Sequence, residues 1–181
     1  LNWAVFFLSS SYCLPALAQD SLAALTELSL QELLRIQVVS VTKRPEALAN
    51  SPSAIEVITG EQIRRSGATH LAETLRLASN LNVAQQNSHQ WIVTSRGFSS
   101  DAGNKLLVLM DGRSLYTPLL SGVFWSRQDY LLEDMERIEV VSGPGGTLWG
   151  LNAVNGVINL LSKNAADTQG GYATAARGNH L

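Results

Sequence analysis

Apolar positions along this chain fall into short runs separated by glycine, proline and polar clusters. That spacing predicts strands alternating with short helices. Ala54 to Ile58 alternates with Glu56 outward and reads as a strand. Thr59-Gly60-Glu61-Gln62 fits a capping box, in which hydroxyl and amide each satisfy a backbone N–H, and Gly67 can close the helix it opens. His70 to Ala78 puts Leu71, Leu75 and Ala78 on one helical face. Leu81–Gln85 and Trp91–Arg96 read as strands joined by the polar stretch 86–90. Leu106 to Met110 is continuously apolar, which predicts a central strand buried on both faces, and Asp111-Gly112 then turns the chain sharply. Tyr116 to Trp125 reads as a long loop with proline, glycine and three aromatics. Leu131 to Glu136 reads as a helical turn leading into a strand over Arg137–Val141. Gly143-Pro144-Gly145-Gly146 predicts a tight turn, Val157–Leu161 a last core strand, and Gly170-Gly171-Tyr172 the start of another strand. The predicted fold is a small mixed α/β (α+β) domain, a twisted sheet with short helices.

Upstream the pattern changes. From Trp3 to Leu17 the chain is apolar or small, with no charge before Asp20, and Ala16-Leu17-Ala18 supplies a small-x-small cleavage site. Residues 1–18 are therefore expected to be an export signal cut after Ala18, its N-terminus incomplete because Leu1 replaces Met and no positive region precedes it. Pro15 shortens the apolar run below what a membrane-spanning helix needs. Residues 19–50 read as a lead, with a short apolar stripe at Leu28, Leu30, Leu33 and Leu34. Within it, Ile36 to Thr42 is β-branched and built to be extended, and Pro45 and Pro52 frame a linker.

Composition narrows the chemistry. The 181 residues suffice for one ordinary domain, and a net charge of −2 without a basic run argues against a nucleic-acid partner. Cys13 is the only cysteine and lies in the signal, so the mature chain would hold no disulfide, thiolate metal site or cysteine nucleophile. Ser40-Val41-Thr42-Lys43 matches the Ser-x-x-Lys of serine β-lactamases, but no Lys-Thr-Gly exists and Pro45 opposes the required helix. The glycine-rich stretch 143–150 fails both nucleotide fingerprints: Leu148 stands at the third dinucleotide glycine, and Leu151 replaces the P-loop lysine. His70, His89 and His180 are too scattered to suggest a metal site and read as surface histidines. Neither an enzyme nor a bound cofactor is expected.

Several segments, in order, then carry a resemblance. Ser95-Arg96-Gly97-Phe98 resembles an "(I/S)RGF" element, and 106–113 resembles "VLVLIDGR". Residues 136–150, Glu-Arg-Ile-Glu-Val-Val-Ser-Gly-Pro-Gly-Gly-Thr-Leu-Trp-Gly, resemble "ERIEVIRGPGGALWG", and 152–159 resemble "NAVNGVINI". Upstream, 51–59 resembles the first strand of the same domain. The chain is thus similar to the plug domain of TonB-dependent outer-membrane receptors over about 30–163, an ordered set far more specific than any one piece.

The resemblance implies a plug over 51–163 that sits in a β-barrel, with 164–181 as the start of that barrel and no transport by this chain alone. The implied place is the outer membrane, the plug on its periplasmic side. Implied partners are the barrel, the C-terminal domain of TonB, and a metal-chelate (such as a ferric siderophore or haem) or cobalamin-like ligand. TonB would take Ile36, Gln37, Val38, Val39, Ser40, Val41 and Thr42 as an added strand. Ligand contact would fall to His89, Gln90 and Trp91 on one loop and Tyr116, Thr117 and Trp125 on another, because aromatic faces with a few polar donors suit large chelates. Core packing of those aromatics is the competing role. Arg96, Arg113, Glu136, Arg137 and Glu139 are the implied barrel contacts. Two positions depart from the family pattern: Ser142 stands where an arginine usually locks plug to barrel, and Leu151 where alanine or serine is usual. The alternative reading is a stand-alone periplasmic binding or interaction module.

Overall fold

A computed structural model describes residues 37–38, 46–47, 53–97, 103, 105–119 and 121–173. The expected export signal, most of the lead (Ile36, Val39, Ser40, Val41 and Thr42 included) and 174–181 lie outside the described residues.

Two short strands, β1 (Gln37–Val38) and β2 (Glu46–Ala47), pair antiparallel, with Val38 buried. Next, β3 (Ala54–Thr59) runs into α1 (Gly60–Ser66). The capping box forms as expected: Gln62 N donates to Thr59 Oγ1 at 3.3 Å and Thr59 N to Gln62 Oε1 at 2.8 Å, while Gly67 closes the helix at φ 69°. The stretch after His70 is shorter than a continuous helix. It divides into α2 (Leu71–Thr74) and a 3₁₀ turn over Leu75–Leu77. Thr74 Oγ1 bonds back to Leu71 O at 2.7 Å, and Ala78 N to Leu75 O at 3.2 Å, which tightens the chain as it enters β4 (Leu81–Gln85). Leu71, Leu75 and Ala78 are nevertheless all buried, as their spacing requires.

The main sheet has the order β3, β10 (Met135–Ser142), β11 (Gly156–Ser162), β6 (Leu106–Met110), β7 (Arg113–Ser114). β10 is antiparallel to both neighbours, and β11 runs parallel to β6. β6 is buried at every position, which its unbroken apolar run requires. Asp111 and Gly112 both take positive φ, 49° and 82°, in the two-residue turn to β7. The Asp111 carboxylate then accepts from Ser162 N and Ser162 Oγ, each at 2.9 Å, tying this hairpin to the end of β11. One face of the sheet carries Ile58, Ile138, Val140, Ile158, Leu160, Val108 and Met110 into a core closed by Ile63, Leu71, Leu75 and Val93. Each such aliphatic side chain contributes roughly 1.5–3 kcal/mol by leaving water. The other face gathers Leu107, Leu109, Val141 and Val157 with Ala153.

Outside this sheet stand two hairpins, β4 with β5 (Trp91–Ser95) and β8 (Tyr116–Thr117) with β9 (Gly122–Val123). The expected long loop is therefore a hairpin followed by a 3₁₀ turn over Trp125–Arg127, because Ser121 adopts φ 52° and bonds to Pro118 O, folding the segment on itself. A third 3₁₀ turn, Leu132–Asp134, leads into β10, which starts at Met135. The glycine-rich turn feeds a single helical turn, α3 (Gly146–Trp149). No strand forms around Gly170 to Tyr172 among the described residues: the chain after β11 turns at Asn164, which accepts from Ala166 N and Asp167 N, and Tyr172 is exposed.

Gly156 has no room for a side chain: a Cβ there would lie 2.4 Å from Val141 O. Gly156→Ala should lower stability by about 2–3 kcal/mol, read as a shifted urea midpoint, because the atom it would strike is the Val141 backbone carbonyl, which is held in the β10–β11 ladder. On α1, Glu61 accepts from Arg64 and Arg65, which hold its carboxyl down from 4.5 to about 2. A depressed folded-state value means that stabilisation is complete above pH 4.5 and is lost as pH falls toward about 2. Urea titrations across that window should show a shallower acid loss for Glu61→Gln, and salt should reduce the difference because the pair is exposed.

Candidate ligand-binding groove

The β4–β5 hairpin presents its loop through local bonding. Asn87 Oδ1 accepts from His89 N at 3.1 Å and Gln90 N at 2.9 Å, and Gln86 N bonds to Gln90 O at 2.9 Å. This asparagine turn sets His89 and Gln90 at the tip and Trp91 at the first position of β5. The Trp91 ring stacks on His70, with centroids 5.6 Å apart and planes 10° from parallel, and the Arg76 guanidinium lies 5.2 Å from its centre. His70 is itself fixed, since its Nδ1 accepts Ala72 N at 3.1 Å and so caps α2. It is half-buried and structural, which corrects its reading as a solvated surface histidine.

Facing this loop are Val123, Phe124, Trp125, Ser126 and Arg127, and between them lies an open groove of about 560 Å³. Its walls combine aromatic surface with an imidazole, an amide, a hydroxyl and a guanidinium, a lining suited to a large ligand bearing carbonyl or anionic groups. Trp125 is almost wholly buried in the core and offers the groove only part of its ring. Among the described residues no three His, Cys, Asp or Glu gather where they could hold a metal ion.

A family model described as TonB-dependent Receptor Plug Domain matches residues 47–157. The chain belongs to the TonB-dependent receptor plug domain family. Similar curated proteins include the Vitamin B12 transporter BtuB of Vibrio vulnificus (strain CMCP6), 29% identical over 143 residues, and that of Vibrio cholerae serotype O1, 32% identical over 144. Each match covers 78% of this chain and 23% of the relative. The Iron-regulated outer membrane virulence protein of Vibrio cholerae is 30% identical over 131 residues, 70% of this chain and 20% of the relative. The chain therefore spans about a quarter or less of the length of these curated relatives. Among solved structures, Pseudomonas aeruginosa FpvA bound to heterologous pyoverdines superposes with a TM-score of 0.59 at 22% identity, over 71% of this chain and 16% of that one, which shows the shared fold.

Within the plug, four of the six residues expected to meet a ligand converge on the groove: His89, Gln90, Trp91 and Trp125. Tyr116 and Thr117 are half-buried in β8 against β9 and are absent from its lining. Phe124, Ser126 and Arg127 line it instead, and the aromatic pair Phe124-Trp125 was the signal in the sequence that pointed there. Of the residues expected to meet a barrel, Arg96 is exposed at φ 58°, and Arg113 is exposed with a bond to Tyr130 Oη at 3.0 Å. Glu136 is half-exposed and paired with Arg137. Glu139 is fully buried, its Oε1 accepting from Arg137 Nε at 2.8 Å. Its place on β10 between Val57 and Asn159 puts it among buried strand residues.

Because His70 both caps α2 and stacks on Trp91, the two roles are separable. His70→Asn keeps a capping oxygen and loses the stack, whereas His70→Ala loses both. Urea unfolding should place the alanine variant about 1 kcal/mol or more below the asparagine variant, with both below the parent.

Proposed function

We propose that this chain is the plug of an outer-membrane, TonB-dependent receptor for a cobalamin-like or metal-chelate ligand, held on the periplasmic side of its barrel. The observation that carries the reading is the convergence of His89, Gln90 and Trp91 with Trp125 on one groove in a domain of this family. The similar transporters named for vitamin B12 support the cobalamin class, and the iron-regulated relative supports the chelate class. Ligand energy would come from aromatic contact, with Gln90 and Arg127 orienting amide or acidic groups of the ligand. The plug alone does not transport; movement of ligand belongs to the plug within its barrel.

In the assembled receptor, Trp91→Ala should weaken binding of cyanocobalamin or a ferric siderophore by about ten-fold or more. Thr117→Ala should change it less than about two-fold, since Thr117 lies off the groove. Both are read by equilibrium binding to receptor in detergent, and equal losses would count against the groove as the ligand site.

Residues 36–42 are the proposed TonB-binding strand. In the described part, Gln37 and Val38 are already extended and pair on one side with Ala47 and Glu46. Strand addition rests on main-chain bonds, so Val39→Pro should abolish binding that Gln37→Ala leaves almost intact. Calorimetric titration with the C-terminal domain of TonB distinguishes the two, and equal affinities would remove the assignment.

A further inference from the structure

Asn155 is followed by Gly156, and no other asparagine in the chain precedes a glycine. Glycine carries no Cβ to shield its backbone nitrogen, so that nitrogen can approach the preceding asparagine Cγ with little steric resistance. The folded domain opposes this approach. Asn155 is buried and tied at three atoms: its N–H donates to Lys105 O at 2.9 Å, its carbonyl accepts from Gly143 N at 3.0 Å, and its Nδ2 donates to Ser95 O at 3.2 Å. Gly156 opens β11 between Ser142 of β10 and Leu106 of β6, so the attacking nitrogen is held in the sheet.

The bond to Ser95 also joins two sheets. Ser95 ends β5, the strand that begins at Trp91, whereas Asn155 stands immediately before β11 of the main sheet. Its partner is a carbonyl oxygen, so the side chain must donate. A carboxylate there would set acceptor against acceptor in the interior and remove the tie.

We propose that Asn155-Gly156 is a self-modification site: the folded plug keeps the asparagine intact, opening of β11 lets it convert to aspartate or isoaspartate, and the converted chain does not regain the fold. In the first step Gly156 N bonds to Asn155 Cγ and the Cγ–Nδ2 bond breaks, the departing nitrogen taking the Gly156 N–H proton and leaving as ammonia. Water then opens the cyclic imide at one carbonyl or the other, which gives aspartate or isoaspartate. One water is consumed, one ammonia is released, and nothing is oxidised or reduced. The isoaspartate product inserts an extra backbone carbon just before Gly156, where the chain lies tight against Val141 O. Neither Asn155 nor Gly156 lines the ligand groove, so the modification stands independently of ligand binding there.

The full chain, held at mildly alkaline pH with and without urea, supplies the test, with peptide mass spectrometry reading amide-to-acid conversion at each asparagine. Conversion at Asn155 should be about ten-fold faster or more in urea, because in buffer it draws only on molecules in which β11 has opened. Equal rates in the two conditions would overturn the proposal. After dilution from urea, chains converted at Asn155 should be depleted about ten-fold from the refolded, protease-resistant fraction, since a buried donor has become an acceptor. Asn87, exposed and followed by Ser88, is the internal comparison, and its conversion should leave recovery unchanged. Full recovery of chains converted at Asn155, or equal depletion of chains converted at Asn87, would overturn it as well.

Discussion

The pairing of β11 with β6 on one side and β10 on the other is the constraint from which the rest of this domain follows. β6 and β11 are parallel and lie some fifty residues apart, as Asp111 and Ser162 do, so their pairing closes a long loop that contains β7, both 3₁₀ turns and β10. Gly156 lets β10 come close enough at one end of β11, since any Cβ there would meet the Val141 carbonyl. At the other end Asp111 joins the β6–β7 turn to Ser162, and Asp111 N bonds to Leu160 O at 2.9 Å. Both faces of the three strands are thereby buried, and α1, α2 and the hairpins need only cover them.

The groove depends on that frame indirectly. β5 contributes Val93 to the core, and Trp125 enters the same core from the opposite wall. Each wall is therefore anchored in packed side chains, while its tip remains open to solvent. His70 and Arg76 extend the anchoring to Trp91 by stacking and cation–π contact, and Glu73 lies 3.9 Å from Arg76 in turn. The groove therefore combines an anchored aromatic surface with exposed polar ends, His89, Gln90 and Arg127.

Charge is distributed in the same spirit. The Glu61–Arg64–Arg65 cluster is exposed and governs only the acid limb of α1 stability. The Arg137–Glu139 pair is different, because the carboxylate is fully buried and its arginine partner stands two residues away along the same strand. Leu119, Leu131 and Leu151 remain widely exposed, whereas Trp125 is buried in the core.

Several elements of this protein were legible from sequence because their causes are local. The reciprocal Thr59–Gln62 cap, the left-handed closure at Gly67 and the Asp111-Gly112 turn each involve residues within a few positions of one another. The strand over Ala54–Thr59 forms as read, but Glu56 lies on the face of buried Ile58 rather than outward, because its carboxylate bonds to Ser79. The unbroken apolar run of β6 likewise announced a strand covered on both faces. Ordered motifs pointed to the family, and the loops at 86–90 and 116–125 were marked by composition. The groove itself was only half legible: that Trp91 and Trp125 meet, and that Tyr116 and Thr117 turn away into a hairpin, depends on how β5 and the 3₁₀ turn pack on a common core. The stacking of His70 on Trp91 and the inward turn of Glu139 were decided by tertiary structure alone. Each brings together groups whose separation in sequence carries no period, cap or turn signal, so only long-range packing could determine their partners.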